Sequence, residues 1–135
     1  MARLTKLRTM LSADDLDATV AFYRDRLGFT CIGTWGQDPA EPTWCQVARD
    51  DVALMFTLNV PHDHGDGEGM HSDDPALSGS IYLNVDDVDA LWAEVEPRLD
   101  GFEWEPTDFP HAMREFGITD PNGYLLIFGQ DIPQE

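Results

Sequence analysis

The feature that most constrains the fold of this chain is an internal repeat. Its first copy, LSADDLDATVAFYRDRL, covers Leu11 to Leu27, and its second copy, LNVDDVDALWAEVEPRL, covers Leu83 to Leu99. Eight of the 17 aligned positions are identical, whereas unrelated segments of average composition would share about one. The competing explanation is a helix start common to many proteins, in which an aspartate cap precedes an apolar stripe. We interpret the repeat as two copies of one structural unit.

Hydrophobic spacing predicts the same order of elements in both copies. The first copy is expected to contain a strand at 6–13, a helix that begins after Asp14 or Asp15 and ends at Gly28, and strands at 29–35, 43–49 and 52–58. The second copy is expected to contain a strand at 79–85, a helix from near Asp87, and strands at 102–109, 112–119 and 124–129, before a loosely held tail at 131–135. The predicted fold class is therefore α+β, with two tandem βαβββ units.

The length suits a single domain of residues 1–135, with units at 6–58 and 78–130 and a linker at 59–77. Strand side chains alternate between faces, so one face of each sheet should lie against its own helix through Leu11, Leu54, Phe56, Leu83, Leu126 and Phe128. The opposite faces would form cupped mixed sheets around a shared cleft. The linker contains His62, His64 and His71, which could bind a metal ion, although a solvated loop is the simpler interpretation.

The charge of the chain restricts its partners. It has 26 acidic and eight basic residues and a net charge of −18, so a nucleic acid backbone would be repelled. Neither an apolar run that could cross a membrane nor a signal peptide is visible, and Cys31 and Cys45 are too few for a disulfide framework. These features predict a cytoplasmic protein with reduced thiols. The acidic surface could reflect adaptation to salt, or it could attract a cationic ligand.

The salt interpretation makes a testable prediction. We expect the melting temperature to rise between low salt and molar KCl, because counterions screen the repulsion among the acidic side chains. Thermal melting followed by circular dichroism over that range measures the effect. A melting temperature that stays constant would remove salt adaptation as the reason for the acidic composition.

Two segments resemble a known family. The segments are DDLDATVAFYRDRLGF, from Asp14 to Phe29, and ITDPNGYLLIFGQ, from Ile118 to Gln130. They are similar to the vicinal oxygen chelate superfamily, which includes glyoxalase I, extradiol dioxygenases, fosfomycin-modifying enzymes and bleomycin resistance proteins. The resemblance covers both units and implies the glyoxalase/bleomycin resistance fold. It does not imply one activity, because this fold hosts several reactions and a binding mode without metal.

The resemblance also bears on metal binding. Metal-dependent members carry His, Gln or Glu on the first and last strands of each unit, and the matching positions here are Arg8, Met55, Ser80 and Ile127. Arginine stays protonated, and methionine and isoleucine do not hold a hard, oxygen-preferring cation. The resemblance therefore implies neither a metal ion at these positions nor another cofactor.

This pattern is most similar to the bleomycin resistance branch, whose members are acidic homodimers that hold a cationic ligand in a hydrophobic groove without changing it. The resemblance implies a homodimer with a ligand-binding cleft. Strand alternation assigns to the cleft Arg8, Met10, Ser12, Met55, Ser80, Tyr82, Met113, Glu115 and Ile127, with Trp35 and Trp44 near the rim. Apolar side chains with a few polar ones are typical of a small-molecule site, although the same residues could simply fill a core.

Glu115 and His111 are the candidates for catalysis, because a carboxylate in an apolar cleft can act as a general base. Alternation directs Arg114 to the other face, so Arg8 is the expected ionic partner of Glu115. An ion pair between Arg8 and Glu115 with a structural role is the simpler interpretation.

Three functions follow from these observations. The first is a metal-independent protein that binds a small cationic or drug-like ligand in the cleft. The second is a metal-dependent lyase, isomerase or dioxygenase whose displaced site is formed by Glu115, His111 and a linker histidine. The third is a dimerisation module without a ligand, against which an apolar cleft argues. The sequence leaves open whether the chain is an enzyme.

Overall fold

The computed structural model describes residues 1–58 and 80–133. The first unit consists of β1 (Thr9–Ala13), α1 (Leu16–Leu27), β2 (Thr30–Trp35), β3 (Trp44–Arg49) and β4 (Val52–Leu58). The second unit consists of β5 (Ile81–Asn84), α2 (Val88–Val95), a 3₁₀ turn (Glu96–Arg98), β6 (Trp104–Phe109), β7 (Met113–Thr119) and β8 (Leu125–Asp131). The predicted α+β fold with two βαβββ units is confirmed.

The strand register confirms the repeat. The first unit forms a four-stranded sheet in the order β1-β4-β3-β2, and the second forms a separate sheet in the order β5-β8-β7-β6. In each sheet the first strand runs parallel to the last one. Leu11 lies opposite Phe56 in one sheet, and Leu83 lies opposite Phe128 in the other. Both partners are displaced by the same 72 positions that relate the two copies of the sequence.

The strand ends differ from the sequence prediction. Strand β1 begins at Thr9 instead of Lys6, and Thr9 lies opposite Leu54 of its partner β4. The preceding residues, 1–8, are exposed. The prediction of a loosely held tail from residue 131 was wrong for its first two residues. Asp131 is the last residue of β8, and the N–H of Ile132 donates to the carbonyl of Ala112 at 2.9 Å. The predicted linker at 59–77 lies outside the described residues.

Both helices begin at an aspartate cap. The carboxylate of Asp15 accepts from the N–H of Ala18 at 3.0 Å, and that of Asp87 accepts from the N–H of Ala90 at 3.0 Å. Helix α1 ends at Gly28, whose φ of 76° is left-handed as predicted. Among the described residues, no helix has the length and apolar character needed to cross a membrane.

The core lies between each helix and its own sheet. All six residues predicted to face the helices are buried, with 6% or less of their surface exposed. The ring of Phe56 lies 5.3 Å from that of Tyr23 on α1, and Phe128 stacks on Phe116 at 5.0 Å. Both cysteines are free thiols; Cys31 is half-buried and Cys45 is buried. Burial raises the pKa of the Cys45 thiol to about 11.

Among the described residues, a helix of one unit contacts a strand–strand turn of the other unit at two junctions. At the first junction the hydroxyl of Tyr23 on α1 donates to Asp120 after β7, at 2.8 Å. Asp120 also accepts from the N–H groups of Asn122 and Tyr124, both at 2.9 Å. Burial raises the pKa of both Tyr23 and Asp120. At the second junction Arg49, at the end of β3, donates to Glu94 on α2 at 2.7 and 3.0 Å.

Candidate functional site

Those predicted cleft residues that belong to a strand lie on the helix-free faces of the two sheets. On the first sheet Met10 is paired in register with Met55, and Trp35 with Trp44. On the second sheet Tyr82 is paired with Ile127, and by strand alternation Met113 and Glu115 share that face. Arg8 and Ser80 are exposed residues directly before β1 and β5.

These faces expose large apolar side chains. Trp35 is 62% exposed, Met10 is 41% exposed and Tyr82 is 40% exposed. By contrast, Leu11 and Leu83, which follow Met10 and Tyr82 on the same strands, are only 6% exposed. An apolar patch that no helix covers usually contacts a ligand or another protein.

The polar centre of the second face is Glu115. Although it is a carboxylate, only 5% of its surface is exposed. Its Oε2 accepts a hydrogen bond of 2.7 Å from the hydroxyl of Tyr82 and lies 3.4 Å from Nε2 of His111. The pKa of Tyr82 is raised to about 12, mainly by burial of its hydroxyl and secondly by the hydrogen bond to Glu115. The second face therefore holds a buried carboxylate at the centre of an apolar surface, with a tyrosine hydroxyl as its donor.

Two glycines allow aromatic rings to lie flat on this face. Gly129 lies opposite Glu115 in the β7–β8 ladder, and the Tyr82 ring crosses directly over it. A Cβ at Gly129 would collide with the Tyr82 hydroxyl and lie 2.6 Å from Cζ of that ring. Likewise, a Cβ at Gly117 would lie 2.7 Å from the ring of Trp104. Gly129 thus leaves room for Tyr82 to reach Glu115, and Gly117 leaves room for Trp104.

The expected ionic partner of Glu115 was not found. Among the described residues, Glu115 contacts Tyr82 and His111, whereas Arg8 lies outside β1 and is exposed. The prediction failed because it placed Arg8 inside the first strand. Arg114 faces away from Glu115, as predicted, and donates to Asp89 at 3.1 Å and to Asp108 at 3.0 Å.

The resemblance assigns four residues to the metal positions of the family, and their side chains do not fit a divalent ion. Arg8, Met55, Ser80 and Ile127 offer no imidazole or carboxylate. Across residues 1–58 and 80–133, no group of three or more His, Cys, Asp or Glu side chains is arranged to hold a metal ion. His62, His64 and His71 lie outside the described residues.

Sequence reasoning missed Trp104, Gly117 and Gly129. Trp104 lies opposite Gly117 in the β6–β7 ladder, and its buried Nε1 has no acceptor among the described residues. A glycine inside a predicted strand often marks a close approach to another group. That signal was present at both glycines, but it does not identify which ring approaches.

The sequence of the chain was compared with models of known protein families. The model of the Glyoxalase/Bleomycin resistance protein/Dioxygenase superfamily matches residues 7–128. The chain belongs to this superfamily. No match was found among curated proteins.

Several solved structures of this superfamily's fold are similar to the chain. TioX from Micromonospora sp. ML1 is 16% identical, with 95% of this chain and 99% of that chain covered and a TM-score of 0.74. The bleomycin-binding protein from bleomycin-producing Streptomyces verticillus, solved with copper(II)-bleomycin, is 24% identical, with coverage of 99% and 100% and a TM-score of 0.67. TnmS3, an antibiotic-binding protein from Streptomyces sp. CB03234, is 23% identical, with coverage of 97% and 98% and a TM-score of 0.69. These similarities show a shared fold.

Proposed function

We propose that this chain is a metal-independent, small-molecule-binding protein of the glyoxalase/bleomycin resistance type. The proposal rests on the hydrogen bond from the hydroxyl of Tyr82 to the carboxylate of Glu115, on the helix-free face of the second sheet. This hydrogen bond fixes a buried carboxylate within a surface that also contains Met113 and Ile127. A mostly apolar surface with one fixed polar anchor is suited to binding an organic ligand and orienting it.

The chemistry of this face favours a cationic or drug-like ligand. Glu115 would accept hydrogen bonds from an ammonium or guanidinium group, and the net charge of −18 would attract such a cation. Two solved structures with this fold are described as binding bleomycin and an antibiotic.

A cytoplasmic homodimer is part of the proposal. The exposed apolar residues Met10 and Trp35 on the first helix-free face lack cover from their own helix. A second copy of the chain would cover such a face and could enclose the ligand between the two copies.

The proposal is tested by calorimetric titration with bleomycin. We expect binding, with the ligand recovered unaltered, and we expect Glu115→Gln to weaken it about tenfold or more, because a hydrogen bond to a charged group contributes about 1.5–3 kcal/mol. Asp108→Asn is the matched control, since this carboxylate pairs with Arg114 on the opposite side of the second sheet. Absence of binding, or equal affinity of Glu115→Gln and the unmodified protein, would contradict the proposal.

A second candidate is a metal-dependent lyase, isomerase or dioxygenase. The distance of 3.4 Å between His111 and Glu115 favours it, because the two side chains could form part of a displaced metal site. Elemental analysis of the purified protein separates the candidates. Stoichiometric zinc, nickel, manganese or iron, lost together with activity upon chelation, would support the enzyme and reject the metal-independent function.

A further inference from the structure

The repeat relates the two junctions between the units, but the turn and the side chains at one junction differ from those at the other. At the first junction, five residues separate β7, which ends at Thr119, from β8, which begins at Leu125. At the second junction, only Asp50 and Asp51 separate β3 from β4. The offset of 72 places Val52 at the position of Tyr124. The second junction therefore has a shorter turn and a smaller side chain.

At the first junction the longer turn satisfies two backbone donors of the first unit. The N–H of Ser12 donates to the hydroxyl of Tyr124 at 2.9 Å, and the N–H of Asp14 donates to Asn122 at 3.3 Å. Tyr124 is 4% exposed, so its ring fills the space between the two units. A phenol ring and its hydroxyl thus complete this junction.

At the second junction the equivalent place is a cavity of about 460 Å³. Its floor is apolar and includes the buried residues Leu27, Phe29, Leu83 and Phe128. Asn84, which corresponds to Ser12, also lines it. The N–H of Val85 donates to the carbonyl of Gly129 at 2.8 Å, so the preceding N–H, that of Asn84, points away from β8 as that of Ser12 points away from β4.

The rim of this cavity is strongly acidic. It contains Asp50, Asp51, Asp86, Asp87 and Glu94 against a single cation, Arg49. Arg49 is engaged with Glu94 and lies 3.6 Å from Asp50. Asp51 and Asp86 are exposed and make no hydrogen bond or ion pair with another described residue. Within the described part of the chain, two carboxylates at the rim are thus available to a cation.

We propose that this junction cavity binds a small phenolic amine. Its ring lies where Tyr124 lies at the first junction, its hydroxyl accepts from the N–H of Asn84, and its ammonium group lies between Asp51 and Asp86. The volume exceeds that of one aromatic ring with a short amine chain and falls within the usual range for ligand sites. The cavity shares none of Tyr82, His111 and Glu115, so it is separate from the site on the helix-free face.

Calorimetric titration with tyramine tests this inference. We expect tyramine to bind, and 3-(4-hydroxyphenyl)propionate, which carries a carboxylate instead of the amine, to bind about tenfold more weakly or worse because the rim repels it. Val52→Tyr should reduce tyramine affinity about tenfold or more, since it supplies the ring that the first junction already contains. Val52→Thr is the matched control of similar volume, and it should keep the affinity.

A second variant keeps the inference testable if Val52→Tyr does not fold. Asp86→Asn removes a rim charge at an exposed residue, and we expect it to weaken tyramine binding about threefold or more. Tyr82→Phe should leave tyramine binding unchanged. The inference is rejected if tyramine does not bind, or if Asp86→Asn has no effect. Loss of tyramine binding in Tyr82→Phe alone would move the ligand to the helix-free face, rejecting the junction site while supporting the proposed function.

Discussion

Replacing Gly129 by alanine should destabilise the protein by about 1–3 kcal/mol, because the buried carboxylate of Glu115 would lose the hydroxyl of Tyr82 as its donor. The added Cβ would collide with the Tyr82 hydroxyl and lie 2.6 Å from Cζ of the ring. Tyr82 would have to swing away from Glu115 and would lose its hydrogen bond of 2.7 Å. Bleomycin affinity should therefore fall together with stability. Urea denaturation and calorimetric titration measure the two effects.

A double-mutant cycle isolates the collision as the cause. In a Tyr82→Ala background the ring is absent, so the additional change Gly129→Ala should cost less than about 0.5 kcal/mol. Gly101→Ala is the matched control, because a Cβ at Gly101 meets no atom within 4 Å. An equal cost for Gly129→Ala in both backgrounds would show that the ring does not determine the effect.

Replacing Asp120 by alanine should lower the free energy of unfolding by about 3 kcal/mol, because several buried donors would lose their acceptor at about 1–3 kcal/mol each without full additivity. The donors are the hydroxyl of Tyr23 and the N–H groups of Asn122 and Tyr124. Asp120→Asn should cost less, since its amide oxygen still accepts from the backbone. Burial disfavours the charged carboxylate and raises its pKa, which further reduces the penalty of the neutral amide.

The second junction provides the comparison for this prediction. Glu94→Ala removes the ion pair with Arg49, and we expect it to cost less than about 1 kcal/mol, because solvent screens a pair at this exposure. The side chains of Arg49 and Glu94 are 28% and 37% exposed, whereas Asp120 is 4% exposed. Urea denaturation at neutral pH measures all three variants. If Glu94→Ala costs as much as Asp120→Ala, burial does not explain the difference between the junctions.

Much of the fold could be predicted because it depends on local patterns. The repeat, the aspartate caps and the alternation of strand faces are properties of neighbouring residues, and they predicted the burial of Leu11, Phe56 and Phe128. They also predicted that Arg114 faces away from Glu115. Errors occurred at strand ends, as at β1 and Arg8, because the alternation of side chains does not determine where pairing with a neighbouring strand stops.

The remaining contacts depend on how distant segments meet. Tyr82 and Glu115 are 33 positions apart, and they meet because a ring leans across Gly129. Tyr23 and Asp120 are 97 positions apart and belong to different units. Strand periodicity determines the face of a residue but not the direction in which a ring leans, and it gives no docking geometry for two units. These contacts therefore became visible only in the structure.

Cys45 makes the first sheet accessible to chemical measurement. Its side chain is fully buried in β3, and its raised pKa leaves little thiolate at neutral pH. A thiol-reactive reagent can modify it only after the residues that cover it move away, while the half-buried Cys31 is open to earlier attack. The labelling rate of Cys45 thus reports local opening of one half of the duplicated fold. In a Cys31→Ser variant, Cys45 would be the cysteine that reacts, so the labelling signal would come from one residue.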